Sequence, residues 1–149
     1  MSQYRTILGF DYGTKRIGVA VGQELTATAR GLTTLQNNQG APDWARITQL
    51  IREWQPALLV VGMPTSMDNQ PHLLEQSVKD FGDQLKQRYN LPVEWIDEKL
   101  SSVEAEEMLA ESDIGKHRKQ DKAEIDKLAA QIILQSWLNM NAAKQGHLQ

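Results

Sequence analysis

Three acids in this chain stand where carboxylates can act together. Asp11 ends the apolar run 7–10 just before a Gly-rich turn, Glu98 follows the short run 93–96, and Asp126 adjoins the segment 128–134, which is apolar nearly all round. In α/β sheets, sites gather around strand ends, so strand ends on one side of a sheet would make the three carboxylates converge. An oxygen-only set of this kind suits one or two Mg²⁺ or Mn²⁺ ions. Acids held close together raise one another's pKa, and a divalent cation is their natural counter-charge. Such ions activate water and stabilise the attacking and leaving oxygens of a phosphodiester, which is nuclease chemistry. Each acid alone also has an ordinary role: Asp11 in a turn, Glu98 paired with Lys99 or Lys15, and Asp126 paired with Lys122.

The elements that must position these acids are legible in outline. Residues 7–10 and 17–21 are short β-branched or apolar runs bounded by Gly13 and Gly22, the pattern of an antiparallel hairpin with Asp11 at its tip. Residues 26–35, rich in Thr, extend the hairpin to a meander. Pro42-Asp43 opens a helix in which Trp44, Ile47, Leu50, Ile51 and Trp54 recur at helical spacing, and Pro56 closes it. The continuous apolar run 57–61 reads as a parallel strand buried on both faces. A helix over 72–89, a short strand over 93–96 and a helix capped by Ser101 with Glu104 follow. Residues 112–120 lack periodicity and read as a loop. A last helix covers 122–139. Small neighbours at Ala129 and Ala130 let it approach the sheet closely, which makes an acid at Asp126 costly unless it is paired or bound to a cation. The expected architecture is α/β, with a mixed five-stranded sheet (three antiparallel strands, then parallel ones) and helices on both faces. It forms one domain over 1–141 and leaves 142–149 as a frayed tail.

Composition narrows the chemistry further. The 149 residues include no cysteine, which excludes disulfides and thiolate metal sites, and His72, His117 and His147 have no metal-ligand spacing. Sixteen Lys and Arg against nineteen Asp and Glu give a net charge of −3, which argues against holding nucleic acid by bulk charge alone. Local basic groups are still available: Lys15 and Arg16 flank the first acid, Lys99 follows the second, and Lys116, Arg118 and Lys119 precede the third. No signal-like or membrane-length apolar run is present, so a cytoplasmic protein with no membrane association is expected.

The motifs together resemble those of the YqgF (RuvX) family of pre-16S ribosomal RNA nucleases and Holliday-junction-resolvase-like proteins. They are Phe10-Asp11-Tyr12-Gly13-Thr14-Lys15-Arg16-Ile17-Gly18-Val19-Ala20, Val61-Gly62-Met63-Pro64, Asp97-Glu98-Lys99-Leu100-Ser101-Ser102, and Asp126-Lys127-Leu128-Ala129-Ala130. The resemblance implies a ribonuclease H-like fold and a metal-dependent nuclease that matures the 5′ end of small-subunit ribosomal RNA. It also implies Asp11, Glu98 and Asp126 as catalytic and metal-binding acids. The chain departs from the family pattern in several places. Lys99 and Ser102 replace Arg and Thr, and Lys99 keeps the charge but loses the bidentate phosphate fork. Asn69 stands where Gly is common. Resolvases related to the family carry a second acid three residues from the last one, where this chain has Ala123 and Ala129, which weighs against cleavage of four-way junctions.

Two other functions fit parts of the pattern. Asp11-Tyr12-Gly13-Thr14-Lys15 resembles the first phosphate loop of the actin and sugar-kinase superfamily, but those proteins bind ATP between two such domains and this chain supplies one. A non-catalytic factor that docks on ribosomal RNA or the transcription machinery would keep the acids for other reasons. The expected partner is nucleic acid, either an rRNA precursor or branched DNA. The sequence leaves open whether a second copy or a partner protein completes the site.

Overall fold

A computed structural model describes residues 5–13, 15–38, 41–63, 75–97 and 122–147. The hairpin reading holds. β1 (Thr6–Tyr12) and β2 (Arg16–Gln23) pair antiparallel, with Asp11 opposite Gly18, and β2 continues the meander into β3 (Thr28–Asn38). A register shift between Val19 and Ala20 bends that second pairing, as a bulge does. β3 is longer than expected, and its end pairs with a two-residue strand, β4 (Ala41–Pro42). The sheet therefore has six strands rather than five, in the order β4-β3-β2-β1-β5-β6. The sixth is too short to carry a strand signal of its own.

α1 (Trp44–Trp54) starts where Asp43 accepts a hydrogen bond from the Arg46 N–H and ends at Gln55 in the left-handed conformation. β5 (Leu58–Met63) is an interior strand between parallel neighbours β1 and β6 (Val93–Asp97). Leu58 to Val61 are almost fully buried, which explains their unbroken apolar run. α2 (Glu75–Tyr89) and α1 cover one face. Their Ile47, Leu50, Val78, Phe81 and Leu85 pack on Leu8, Phe10, Ile17, Val19, Leu59 and Val61.

α3 (Lys122–His147) covers the other face and packs on β1, β2, β3 and β5. Ala130, Ile133, Leu134, Trp137 and Leu138 meet Ile7, Ala20, Leu58, Val60 and Ile96 there. The helix continues past Asn139, its expected end, to His147, and Asn141 donates a hydrogen bond to Glu24 Oε2 at 3.2 Å. The expected helix starting at Ser101 and the loop 112–120 lie outside the described residues. Among the described residues, no helix is long and apolar enough to cross a membrane.

Candidate active site

Strand alternation decides which way Asp11 points. Successive side chains on a strand face opposite sides. Ile7 belongs to the α3-side core while Leu8 and Phe10 belong to the other, so Asp11 faces α3. On β2, Ala20 faces α3 and Ile17 and Val19 face away, so Arg16 and Gly18 are also on the α3 face. Asp11 and Gly18 are direct partners across the hairpin.

α3 crosses the sheet at that pair. A Cβ on Gly18 would fall 2.0 Å from the Asp126 carbonyl oxygen and 3.3 Å from Ala130 Cβ. Only a residue without a side chain allows the helix so close. The hairpin and the helix thus bring Asp11 and Asp126, far apart in sequence, to adjoining positions on one face. Arg16 then reaches Asp126: its Nε donates to Oδ2 at 2.5 Å, with each side chain about a quarter exposed. Lys122, the partner that sequence proximity suggested, has its side chain outside the described residues.

Two sets of hydrogen bonds hold these groups in place. The turn between β1 and β2 is closed by the Gly13 N–H donating to the Arg16 carbonyl at 2.9 Å. Asn37, 2% exposed on β3, clamps the same turn: its Nδ2 donates to the Gly13 carbonyl at 2.6 Å and its N–H donates to the Lys15 carbonyl at 2.9 Å. The second set fixes α3 along β3. Gln131 Oε1 and Gln135 Oε1 accept from the N–H groups of Gly31 and Ala29, each at 2.9 Å, and Gln135 Nε2 donates to the Ala27 carbonyl at 2.7 Å. Four helical residues rise about 6 Å and two strand residues span about 6.8 Å, so an i, i+4 pair of glutamines matches alternate amides of a strand running the opposite way. Asn37, Gln131 and Gln135 escaped the sequence reading. Their only signal was polarity at positions where a core-facing pattern calls for apolar groups.

The remaining predicted site residues fall as follows. β1, β5 and β6 run parallel, so their C-terminal ends share one edge of the sheet, with Phe10, Val61 and Trp95 in one row. Ile96, on the α3 face, and Asp97 end β6. Glu98 is the next residue in sequence and lies outside the described residues, as do Lys99, Lys116, Arg118 and Lys119. Lys15 is exposed on the turn. Among the described residues, no group of three His, Asp or Glu side chains could hold a metal ion; the described part of the candidate set is the pair Asp11 and Asp126. A cleft of about 360 Å³ lined by Thr48, Ile51, Arg52, Arg88 and Tyr89 lies on the α1 and α2 side and contains no carboxylate. It is separate from the acids.

Residues 5–140 match the RuvX family, described as Holliday junction resolvase. The chain belongs to the RuvX family. Among its relatives, a protein of Nitrosococcus oceani is 52% identical over 137 residues, 92% of this chain and 88% of the relative, and one of Proteus mirabilis is 46% identical over 89% of this chain and 94% of the relative. Both carry the name "Putative pre-16S rRNA nuclease". Among solved structures, Thermus thermophilus RuvC in complex with a Holliday junction substrate superposes with a TM-score of 0.60 at 16% identity, over 93% of this chain and 96% of RuvC. The yeast mitochondrial Holliday junction resolvase Ydc2 gives 0.52 at 10% identity, over 91% and 78% of the two chains. At such identities the likeness is one of fold, and the RuvX chain has the ribonuclease H-like arrangement of a mixed sheet between helices.

Proposed function

We propose that this RuvX chain is a divalent-metal-dependent nuclease that hydrolyses phosphodiester bonds during 5′-end processing of pre-16S ribosomal RNA in the cytoplasm. The observation that carries the reading is that Gly18 pairs with Asp11 across the hairpin and lies directly under the Asp126 main chain. Asp126 lies one turn before Ala130, on the side of α3 that meets the sheet at Gly18, and Arg16 is the cation that holds its carboxylate there. The names of the relatives supply the substrate class.

The donor set fits a hard cation. Both described acids are carboxylates, the chain contains no thiol, and oxygen ligands select Mg²⁺ or Mn²⁺ over softer metals. Asp11, Asp126 and Glu98 would hold one or two such ions; Glu98 enters by its position two residues after Ile96. A bound divalent ion supplies an acidified water and charge neutralisation at the phosphate. The chain's own residues would orient the reaction: Asp11 is held by the strand pairing and Asp126 by the contact over Gly18, and Lys15, exposed on the clamped turn, is proposed to contact substrate phosphate. Lys99, Lys116, Arg118 and Lys119 are proposed as further phosphate contacts.

The family description favours a second substrate, the four-way DNA junction. Both are tested together, by incubating an end-labelled pre-16S RNA fragment and a four-way junction with wild type and Asp11→Asn in Mg²⁺, Mn²⁺ or EDTA. Cutting of the RNA by wild type alone, and only with metal, is expected. Equal cutting by a folded Asp11→Asn would sink the nuclease reading, and cutting of neither substrate would favour a non-catalytic RNA-binding factor.

A further inference from the structure

Two arginine–carboxylate pairs in this protein are built differently. Arg5 grips Glu24 through Nε to both carboxylate oxygens, through a terminal nitrogen to Oε2 at 2.6 Å, and through its backbone N–H. Arg16 holds Asp126 through one hydrogen bond, from Nε to Oδ2. The first pair is a multidentate clamp and the second a single contact.

The surroundings of the second pair are nonetheless rigid. Asn37 and the Gly13–Arg16 bond fix the main chain that carries Arg16. The close approach over Gly18, with Gln131 and Gln135 beyond it, fixes the main chain that carries Asp126. With both backbones anchored, the guanidinium on its long side chain is the part that can leave. It occupies an oxygen that a divalent cation would also need, and a cation of double charge and small radius repels a guanidinium held on the same carboxylate.

We propose that Arg16 is an exchangeable counter-ion. It neutralises Asp126 in the cation-free protein and yields the carboxylate when a divalent cation binds. The released guanidinium then contacts substrate phosphate as a planar fork. Cation binding therefore switches on a nucleic-acid contact, and the site avoids an uncompensated acid while it waits. This inference rests on the reading of Asp126 as a cation ligand and adds what the chain does with that ligand beforehand.

The test follows the Arg16 Nε–Hε resonance by NMR during Mg²⁺ titration, with calorimetric Mg²⁺ affinities for wild type, Arg16→Gln and Arg16→Lys. The resonance is expected to move on Mg²⁺ binding to the position it already holds in Asp126→Asn. Arg16→Gln should bind Mg²⁺ about two- to fivefold more tightly, the size of a partly exposed ion pair, with Arg16→Lys in between. Arg16→Gln should also weaken binding of an RNA hairpin in Mg²⁺ but not in EDTA. An Arg16 signal that stays in place at saturating Mg²⁺, or an Arg16→Gln protein that binds Mg²⁺ more weakly, would overturn the exchange and leave the cation site standing. Absence of Mg²⁺ binding in wild type and in every folded variant would instead remove the cation site, and the exchange with it.

Discussion

Replacing Gly18 with Ala adds one methyl group at the place where α3 comes closest to the sheet. A Cβ there lies 2.0 Å from the Asp126 carbonyl oxygen. Short C–H···O contacts run to about 3.3 Å, so the helix must retreat by roughly 1 Å or the strand must bend. In a strand, exchanging Gly for Ala would otherwise stabilise by about 0.5–1 kcal/mol. Overpacking of a closed contact costs about 1–3 kcal/mol, and an obstacle made of backbone cannot rotate away, so the upper end of that range applies. The net expectation is a loss of about 2 kcal/mol. Gly22→Ala is the control: its Cβ would meet the tips of Leu134 and Leu138 at 2.9 Å. Those side chains can turn, which keeps the expected change within about 1 kcal/mol. Urea unfolding measures both. Because the same 1 Å shift carries Asp126 away from Asp11, RNA cleavage by Gly18→Ala should fall on the order of 100-fold, while Gly22→Ala keeps most of its activity. A Gly18→Ala protein as stable as Gly22→Ala would refute the close approach.

Gln135→Ala should lower stability by about 1–2 kcal/mol and Gln131→Ala by about 1 kcal/mol, since each leaves a β3 amide without its acceptor; unchanged thermal midpoints would show that water serves as well. Asn37→Asp should cost more than about 2 kcal/mol in urea unfolding, because it sets a carboxylate oxygen against the Gly13 carbonyl at a buried position. The Arg5 hydrogen bonds hold the Glu24 carboxyl below the usual glutamate range. A depressed folded-state pKa contributes stability that is complete above the unfolded value, near pH 4.3, and is lost as pH falls through the folded one. The stability gap between wild type and Glu24→Gln should therefore hold steady at neutral pH and close below about pH 4.3; a gap that persists in acid would assign it to packing.

The hairpin and the buried parallel strand were legible as apolar runs bounded by Gly or Pro, and the helix over Trp44–Trp54 by its helical spacing. β4 was not, being two residues long and paired with the tail of an extended β3. The sequence places the end of α3 near Asn139, short of His147, because Asn, Ala and Lys give no core signal beyond it. For the site, the acids could be picked out by type and by their places beside apolar runs. Their mutual placement could not, since it depends on which strand residues share a face and on where a helix more than a hundred residues away crosses Gly18. Arg16 shows the same limit: its neighbours in sequence suggest a solvated turn, whereas alternation on β2 turns it toward Asp126.

The local rules that explain the rest of this fold leave Asp126 unexplained, and that is informative. Glu24 is accounted for by a multidentate arginine, and Asp43 by the helix it caps. Asp126 lies beyond the first turn of α3, where the favourable field of a helix N-terminus has faded. Its one described ion pair is single and partly exposed, and such a pair contributes about 1 kcal/mol or less. An apolar residue would pack better against Gly18 and Ala130. A conflict between local preference and position is where function is expected to have overridden stability, and here it falls beside the other acid that the strand pairing holds in place. If Asp126 served stability alone, Asp126→Leu would unfold at lower urea and keep any RNA cleavage; if it serves the reaction, the same variant gains stability and loses cleavage. The two quantities moving in opposite directions is the result expected of a catalytic carboxylate.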